Sequence, residues 1–326
     1  MVSPSSLEPA LARRHAAIRR GISPLPGSRP RDHYKPLNIP GDCDGLPLLV
    51  ALGRMVGNLS AAEWQTEFAC NRIVTSDQEP VAATHIVRAG QRYQHLFPQV
   101  TEPEVNGDVE ILYEDEALIV VNKPAPLPMH AGGRFYQNTL QHVLNAAYHP
   151  ETPLPAHRLD ANTTGLVLVA RTRLFAGNLQ SQFAQGRVEK TYLVRVPGQL
   201  PGDNFYCDAP ISAVSDKGCS RTVDFENGLA ARTDFRFLRH FADGTNLLEA
   251  RPLTGRTNQI RVHLWHLGFP VCGDALYLAG KELGRTQTLA VGDPPLCLHA
   301  VRATFQHPLR LEPCEFSAPP PAWAIG

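Results

Sequence analysis

The sequence has no long hydrophobic run, no paired-cysteine motif and no excess of charge of either sign. A helix that spans a bilayer needs about 20 predominantly apolar residues, and no run of that length occurs in the 326-residue chain. The first residues, MVSPSSLEPALARRHAAIRRG, lack the apolar core of a secretory signal. Their arginine and serine content leaves a transit peptide as a minor alternative. We therefore expect a cytoplasmic protein without a membrane partner.

The cysteines give no sign of a metal site. The chain has seven, at positions 43, 70, 207, 219, 272, 297 and 314, and no two of them have CxxC spacing. A structural zinc site usually shows such spacing. We interpret them as reduced, mostly buried thiols, and most of the 13 histidines as surface or core residues. We expect no bound metal and no cofactor.

The net charge is zero, but the charges are unevenly distributed. Residues 1–40 contain 7 basic and 2 acidic residues, residues 41–116 contain 4 and 13, and residues 117–326 contain 20 and 16. The neutral sum argues against a strongly cationic nucleic-acid-binding protein. The distribution instead indicates a basic arm, an acidic middle and a mildly basic body.

Composition divides the chain into four segments. Residues 1–45 are rich in Pro, Gly, Ser and Arg without a sustained apolar period, which predicts a mobile arm or an extended surface segment. Residues 46–100 predict a small module of two short helices and short strands, in which Ser60 and Glu63 form a capping-box pattern. Residues 101–110 are an acidic linker, and residues 111–326 form the main domain.

The main domain contains more predicted strands than helices and no regular βαβ alternation. Strands are predicted at VEILY, ALIVVN, LVLVAR, EKTYLVRV and LCLHAVRATF, and a hairpin at RTDFRFLRHF and NLLEARPL. Helices are predicted over residues 139–147, 173–188 and 257–268. This pattern favours an α+β fold with a mainly antiparallel sheet.

Three polar side chains stand in contexts that suggest chemistry. Asp160 precedes the small-residue turn ANTTG and an apolar run, where an aspartate could simply cap a turn. Arg261 has the apolar neighbours Ile260 and Val262, so burying it requires a carboxylate partner. Guanidinium geometry favours bidentate pairing, and Asp160 is a candidate. Tyr192 alternates with apolar residues in a strand, as a core tyrosine does, but its ring could also face a pocket and stack on a planar substrate.

Four blocks in order resemble the RluA-type pseudouridine synthases: HRLDANTTG, EKTYLVRV, LTGRTNQIRVHLWHLGFPVCGDALY and LHAVRATFQHP. The segment VVNKPAPLPMH resembles the start of the catalytic domain in that family, and residues 46–97 resemble, more weakly, the RNA-binding module named after ribosomal small-subunit protein four. The resemblance implies a catalytic domain with a central cleft. It also implies isomerisation of uridine to pseudouridine in structured ribosomal or transfer RNA, by a monomer.

The resemblance also assigns residues. It implies that Asp160 is the catalytic aspartate, that Tyr192 stacks on the flipped base and that Arg261 pairs with Asp160. It implies RNA-contacting or base-flipping roles for four further residues, namely Arg158, His157, Arg256 and Asn258. The chain departs from the family at Asn258, where histidine is usual, so an RNA contact there can differ.

The chemistry requires neither redox change nor metal. The bond from uracil nitrogen to ribose carbon breaks, the base rotates, carbon 5 joins the ribose and a proton leaves carbon 5. A base in structured RNA must first be extruded, at a cost of a few kcal/mol. Asp160 must be ionised to act, which an arginine partner favours. Whether it attacks the ribose, attacks the ring or removes a proton stays open.

Two other functions fit parts of the sequence. A non-catalytic RNA-binding or RNA-folding protein on the same scaffold would have no use for Asp160, Tyr192 and Arg261 together. An aspartate-dependent glycosidase of free nucleosides would have no use for Arg158, because a free nucleoside leaves no base stack to fill.

The module at 46–97 lies in the acidic middle of the chain and is expected to be acidic itself, although RNA binding depends on basic residues. Either this module has lost RNA binding, or the arm's arginines at positions 13, 14, 19 and 20 contact the phosphates instead.

Overall fold

The chain divides into two compact units that differ from the predicted segments. The computed structural model describes residues 4–57, 59–214 and 220–325; residues 1–3 of the predicted arm and Cys219 lie outside them. The larger unit combines residues 1–28 with residues 103–326, and the smaller unit is residues 29–102. The predicted arm is thus divided between both units, and the predicted linker belongs to the larger one from residue 103 onward.

The elements are numbered in chain order. The α-helices are α1 (Pro4–Ile22), α2 (Leu48–Met55), α3 (Ala61–Ala69), α4 (Leu140–Tyr148), α5 (Arg173–Ala184), α6 (Gln259–His266) and α7 (Ala322–Ile325). Short 3₁₀ helices cover Pro26–Ser28, Gly41–Cys43 and Ala279–Lys281. The strands are β1 (Arg31–Asn38), β2 (Ile73–Thr75), β3 (Arg92–Val100), β4 (Glu110–Glu114), β5 (Leu118–Lys123), β6 (Leu154–Pro155), β7 (Thr164–Ala170), β8 (Glu189–Pro197), β9 (Asn204–Cys207), β10 (Thr233–His240), β11 (Thr245–Pro252), β12 (Leu298–Gln306) and β13 (Pro313–Ser317).

Helix α1 corrects the expectation of a mobile or extended arm. Ile18 is only 2% exposed and packs in the core of the larger unit. Arg14 donates to the carbonyl of Ala147 at 3.0 Å, and its guanidinium lies 4.0 Å from the centre of the Tyr148 ring. The segment is helical because Leu11 and Ile18, seven residues apart, share one face that covers apolar surface.

The smaller unit is a three-stranded antiparallel sheet with two helices. The strand order is β1-β3-β2, and its core surrounds Trp64, which is 1% exposed. The predicted capping box is present: Glu63 N donates to Ser60 Oγ at 3.3 Å, and Ser60 N donates to Glu63 Oε2 at 2.6 Å. Residues 29–102 contain 7 basic and 8 acidic residues, so the unit is nearly neutral. The expectation of an acidic module is wrong, because six of the 13 acidic residues counted over residues 41–116 lie between residues 103 and 116 and belong to the larger unit.

The larger unit is built on a ten-stranded sheet. Its order is β4-β5-β7-β12-β8-β11-β10-β9, with β6 paired to β7 and β13 paired to β12. Strand β12 runs parallel to β7, and within the described residues all other neighbouring strands are antiparallel. The predicted α+β class with a mainly antiparallel sheet is confirmed.

The contact between β7 and β12 depends on a glycine. Gly165 has φ 110°, and a Cβ at this position would lie 2.2 Å from the carbonyl oxygen of Ala300. Only glycine tolerates both the backbone conformation and the close approach. The parallel pairing starts here, through Thr164 with His299 and Gly165 with Ala300.

Two large apolar clusters form most of the core of the larger unit. One contains side chains of β5, β7, α4 and α5, and the other contains side chains of β8, β11 and α6. Tyr192 on β8 packs against both. Among the described residues, no helix is both long and apolar enough to cross a bilayer.

Candidate active site

A cleft of about 480 Å³ opens in the larger unit. Its walls come from the loop after β6, the start of β8, the turn between β11 and α6, and the first turn of α6. It brings together all seven residues singled out from the sequence, namely His157, Arg158, Asp160, Tyr192, Arg256, Asn258 and Arg261. Residues from three separated segments therefore meet in one cavity.

Two anchors hold the loop that carries Asp160. Ala161 accepts hydrogen bonds at its carbonyl from Leu127 N at 2.9 Å and from Lys123 Nζ at 3.1 Å. Asn162 donates to the carbonyl of Gln287 at 2.7 Å and accepts from Leu289 N at 3.0 Å. The carboxylate is therefore presented by a braced turn, and its side chain remains 27% exposed to the cleft.

The predicted contact between Arg261 and Asp160 is present, but it consists of a single hydrogen bond and is not bidentate. Arg261 Nη1 lies 3.1 Å from Asp160 Oδ2. The bidentate pair is with Asp274: Arg261 Nε lies 2.7 Å from Oδ2, and Nη2 lies 2.8 Å from Oδ1. The side chains of Arg261 and Asp274 are 4% and 1% exposed. Asp274 thus fixes the plane of the guanidinium, and Asp160 receives one of its remaining hydrogens.

Burial and neighbouring charges determine the protonation states of Arg261 and Tyr192. Burial opposes the charge on Arg261, but the hydrogen bond to Asp274 and the charges of Asp160 and Asp274 raise its pKa overall. Burial and the nearby charge of Asp160 raise the pKa of Tyr192. Arg261 is therefore a permanent cation, and Tyr192 keeps its phenolic proton at neutral pH.

Lys123 is a buried lysine beside the Asp160 loop that sequence reasoning missed. Its side chain has no exposed surface, and Nζ donates to the carbonyls of Pro124, Leu127 and Ala161 at 2.9, 2.9 and 3.1 Å. Burial lowers its pKa to about 7, and the charge of Asp160 opposes that shift. The signal in the sequence was a lysine at the end of the buried run LIVVNK.

Asn258 faces the interior rather than open solvent. Its φ of 58° is left-handed, a conformation that asparagine tolerates better than most residues. Its Oδ1 accepts from Arg261 Nη1 at 3.1 Å, and its Nδ2 donates to the Tyr277 hydroxyl at 3.0 Å. Both the oxygen and the nitrogen of the Asn258 amide form hydrogen bonds within the protein. The position of Asn258 therefore does not support the RNA contact that was expected for it.

His157 is also turned inward. Its Nε2 accepts from Leu168 N at 3.0 Å, and its ring stacks on Phe183 with centroids 4.5 Å apart. Burial and the charge of Lys190 lower its pKa to about 3, so the ring is neutral. These contacts stabilise the loop, and the expected RNA contact of His157 is not supported.

Arg158 and Arg256 are exposed at the cleft. Arg256 Nε donates to the carbonyl of Ala230 at 3.0 Å. Within the described part of the chain, neither guanidinium pairs with a carboxylate. The side chain of Gln259, another residue that sequence reasoning missed, holds the backbone of this turn by accepting from Arg256 N at 2.9 Å and from Thr254 Oγ1 at 2.7 Å.

No metal site accompanies these groups in the residues that the structure describes. Three or more His, Cys, Asp or Glu side chains in ligating positions do not occur there. The polar groups of the cleft are carboxylate, guanidinium, ammonium, amide and phenol. Such a set supports acid–base or nucleophilic chemistry and the binding of an anion.

Comparison with known proteins gives consistent matches. The family described as RNA pseudouridylate synthase matches residues 117–266. "RNA pseudouridine synthase 7" of Arabidopsis thaliana is 36% identical over 211 residues, which are 62% of this chain and 53% of that protein. "Ribosomal large subunit pseudouridine synthase D" of Nitrosomonas europaea is 33% identical over 291 residues, which are 86% of this chain and 83% of that protein.

A solved structure also matches. "Human RNA Pseudouridylate Synthase Domain Containing 1" superimposes with a TM-score of 0.54 at 27% identity, covering 65% of this chain and 84% of that chain. The present chain spans only about half the length of the Arabidopsis relative.

Proposed function

Because the chain belongs to the RNA pseudouridylate synthase family, we propose that it isomerises uridine to pseudouridine within an RNA. The observation that carries this proposal is the arrangement around Asp160. Its carboxylate is partly exposed in the cleft, 3.1 Å from a buried arginine, and Tyr192 lines the same cavity. A pure RNA-binding protein has no need for a carboxylate that faces its polyanionic ligand.

The residues divide the reaction between them. Asp160 is the nucleophile or base that acts as the glycosidic bond breaks. Tyr192 stacks on the detached uracil and holds it while carbon 5 turns toward the ribose, so that the second bond forms before the base escapes. The proton lost from carbon 5 balances the proton gained at the uracil nitrogen, and the overall reaction is an isomerisation.

We assign Arg158 to the RNA rather than to the base. An exposed guanidinium at the cleft can occupy the gap that a flipped nucleotide leaves in the stack and can contact phosphate. We propose structured ribosomal or transfer RNA as substrate. Ribosomal RNA is the first to test, because the Nitrosomonas relative is named for the large ribosomal subunit. The expected monomeric state stays a prediction.

The test is Asp160→Asn, a change of equal size that removes the charge. RNA transcripts labelled with tritium at uridine carbon 5 release tritium when carbon 5 is joined to ribose. We expect the wild-type protein to release tritium. In the variant the rate of tritium release should fall by at least about 10³-fold, whereas its RNA affinity should stay within about threefold of wild type.

The control is Asp108→Asn, a change at an exposed aspartate outside the cleft, which should leave turnover unchanged. Turnover by Asp160→Asn at the wild-type rate would contradict the assignment of Asp160. Wild-type protein that releases no tritium from ribosomal or transfer RNA would contradict the proposed function.

A further inference from the structure

Lys190 is a cleft cation that lies in the matched block EKTYLVRV but has no role in the proposed reaction. It lies two residues before Tyr192 on β8, and alternate residues of a strand project to the same face. Both side chains are half-buried and line the cleft, whereas Thr191 between them is buried. Lys190 and Tyr192 therefore point into one cavity, about 6.6–6.8 Å apart along the strand.

The ammonium group of Lys190 has hydrogen-bond donors that its contact with the described residues does not use. Nζ donates one hydrogen bond, to the carbonyl of Thr254 at 3.1 Å. Among the described residues, no carboxylate lies within ion-pair distance of it. An ammonium carries three donors, so two remain for a ligand in the cleft.

Its surroundings favour an anionic ligand over a neutral one. A partly buried ammonium without a counter-charge is unfavourable, and burial lowers the pKa of Lys190 accordingly. A neutral acceptor, such as a uracil carbonyl, would fill a hydrogen bond but would not supply the missing negative charge. A phosphate supplies both.

The charges of the whole cleft point the same way. Asp160, Asp274 and Arg261 form one network with a net charge of −1. Lys190 and two exposed arginines, Arg158 and Arg256, line the same cavity. The cleft therefore carries an excess of positive charge that no described carboxylate offsets.

We propose that Lys190 binds the backbone phosphate adjacent to the flipped uridine. Strand β8 would then hold one nucleotide at two points, with Tyr192 on the base and Lys190 on the phosphate. The carbonyl of Thr254 orients the ammonium, and the turn that contains Thr254 is itself braced by Gln259. This inference rests on the proposed function, since it assumes an RNA substrate with an extruded base.

The test combines turnover with phosphate-ethylation interference. Wild type, Lys190→Met and Lys190→Arg are assayed on the tritium-labelled transcript, and the modified uridine is mapped with wild-type protein. The transcript is then ethylated at random phosphates, and the protein-bound fraction is analysed. With wild type, ethylation of the phosphate adjacent to the mapped uridine should exclude the RNA from the complex.

We expect Lys190→Met to lose that interference at the one phosphate and to keep it elsewhere. Its KM should rise about 10- to 100-fold, as loss of one charge-assisted hydrogen bond predicts, whereas kcat should change less than about threefold. Lys190→Arg should restore most of the KM and the interference. Lys281→Met, at an exposed lysine outside the cleft, is the matched control and should behave as wild type.

The outcomes separate the two claims. Wild-type turnover with an unchanged interference pattern in Lys190→Met would overturn the phosphate assignment and leave the proposed function intact. A fall in kcat without a change in KM would also overturn the phosphate assignment, because it would indicate that Lys190 acts on the reacting base. A wild-type protein without turnover would contradict the proposed function and, with it, this inference.

Discussion

At the residue scale, the main feature of the site is that two carboxylates, those of Asp160 and Asp274, pair with the same arginine, Arg261. Asp274 is almost fully buried and binds one edge of the Arg261 guanidinium through two hydrogen bonds, whereas Asp160 is 27% exposed and receives one hydrogen. Asp274 also accepts from the backbone N–H groups of Leu276 and Tyr277. Asp160 consequently keeps free lone pairs for a substrate, and Asp274 has the structural task that the sequence suggested for Asp160.

We therefore predict that Asp274→Asn is damaging although Asp274 does not touch the substrate. The substitution leaves the buried Arg261 without its bidentate counter-charge, and breaking a buried pair in this way costs about 3–5 kcal/mol. Unfolding in urea should show a loss of that order. Turnover should fall by about 10²-fold or more, because the guanidinium beside Asp160 loses its fixed plane.

Asp243→Asn is the comparison for that prediction. Asp243 also pairs with an arginine, Arg195, at 2.6 Å, but it is exposed. Its substitution should leave both turnover and urea midpoint close to wild type. If Asp274→Asn unfolds at the same urea concentration as Asp243→Asn, the bidentate pair does not stabilise the fold.

Sequence reasoning at this scale selected residues that line one cleft, but it did not recognise the bidentate partner of Arg261. Asp160, Tyr192 and Arg261 share one cleft, as predicted from the matched blocks. Asp274 could not be recognised, because an aspartate in CGDALY reads like any turn residue until the fold places it beside Arg261. His157 and Asn258 were assigned to RNA from their positions in motifs, and only side-chain direction shows that their polar atoms face the protein.

At the element scale, local sequence patterns were sufficient to predict strands and helices where polar and apolar residues alternate clearly. The hairpin β10–β11 and the helix after Thr139 form as predicted, and Thr139 accepts from His142 N as a helix cap does. Helix α1 was missed because it contains four arginines and an internal proline, Pro9, and its apolar face is narrow, so the sequence gave little signal. Its stability comes from packing against α4 and β4, which is tertiary information.

The pairing of β7 with β12 gives an element-scale prediction. Gly165→Ala should destabilise the protein by more than about 2 kcal/mol, because a Cβ would meet the carbonyl of Ala300 and the residue would keep a positive φ. Since β7 follows the loop that carries Asp160, turnover should fall as well. Urea unfolding followed by circular dichroism measures the loss.

Gly177→Ala is the matched control for this change. Gly177 lies on the exposed side of α5, with nothing within 4 Å of its added Cβ. Alanine is the better helix former, so we expect a gain of up to about 1 kcal/mol. Gly165→Ala with a stability equal to that of wild type would mean that β7 and β12 can separate at no cost.

At the scale of the whole molecule, the charges are arranged differently from what the linear sequence suggested. The smaller unit is nearly neutral, and the acidic residues between positions 103 and 116 belong to the larger unit. Of the four arginines expected to reach RNA from the arm, Arg14 pairs with Glu114 at 3.2 Å. Arg13, Arg19 and Arg20 are exposed on α1, and none of them forms an ion pair with a described residue.

These three arginines carry the last prediction. Removing residues 1–40 would also remove α1 from the larger unit and β1 from the smaller sheet, so charge substitution is the cleaner change. Each phosphate contact contributes about 0.7–0.9 to the slope of log affinity against log salt. If all three contact RNA, the triple change to Gln should lower that slope by about 2–3, measured by filter binding across a salt series. The triple change to Lys should keep the slope, because it keeps the charges. Turnover at saturating RNA should stay at the wild-type level in both, since Asp160, Tyr192 and Arg261 are unchanged. Parallel lines for the Gln variant and wild type would mean that α1 serves only to cover the core.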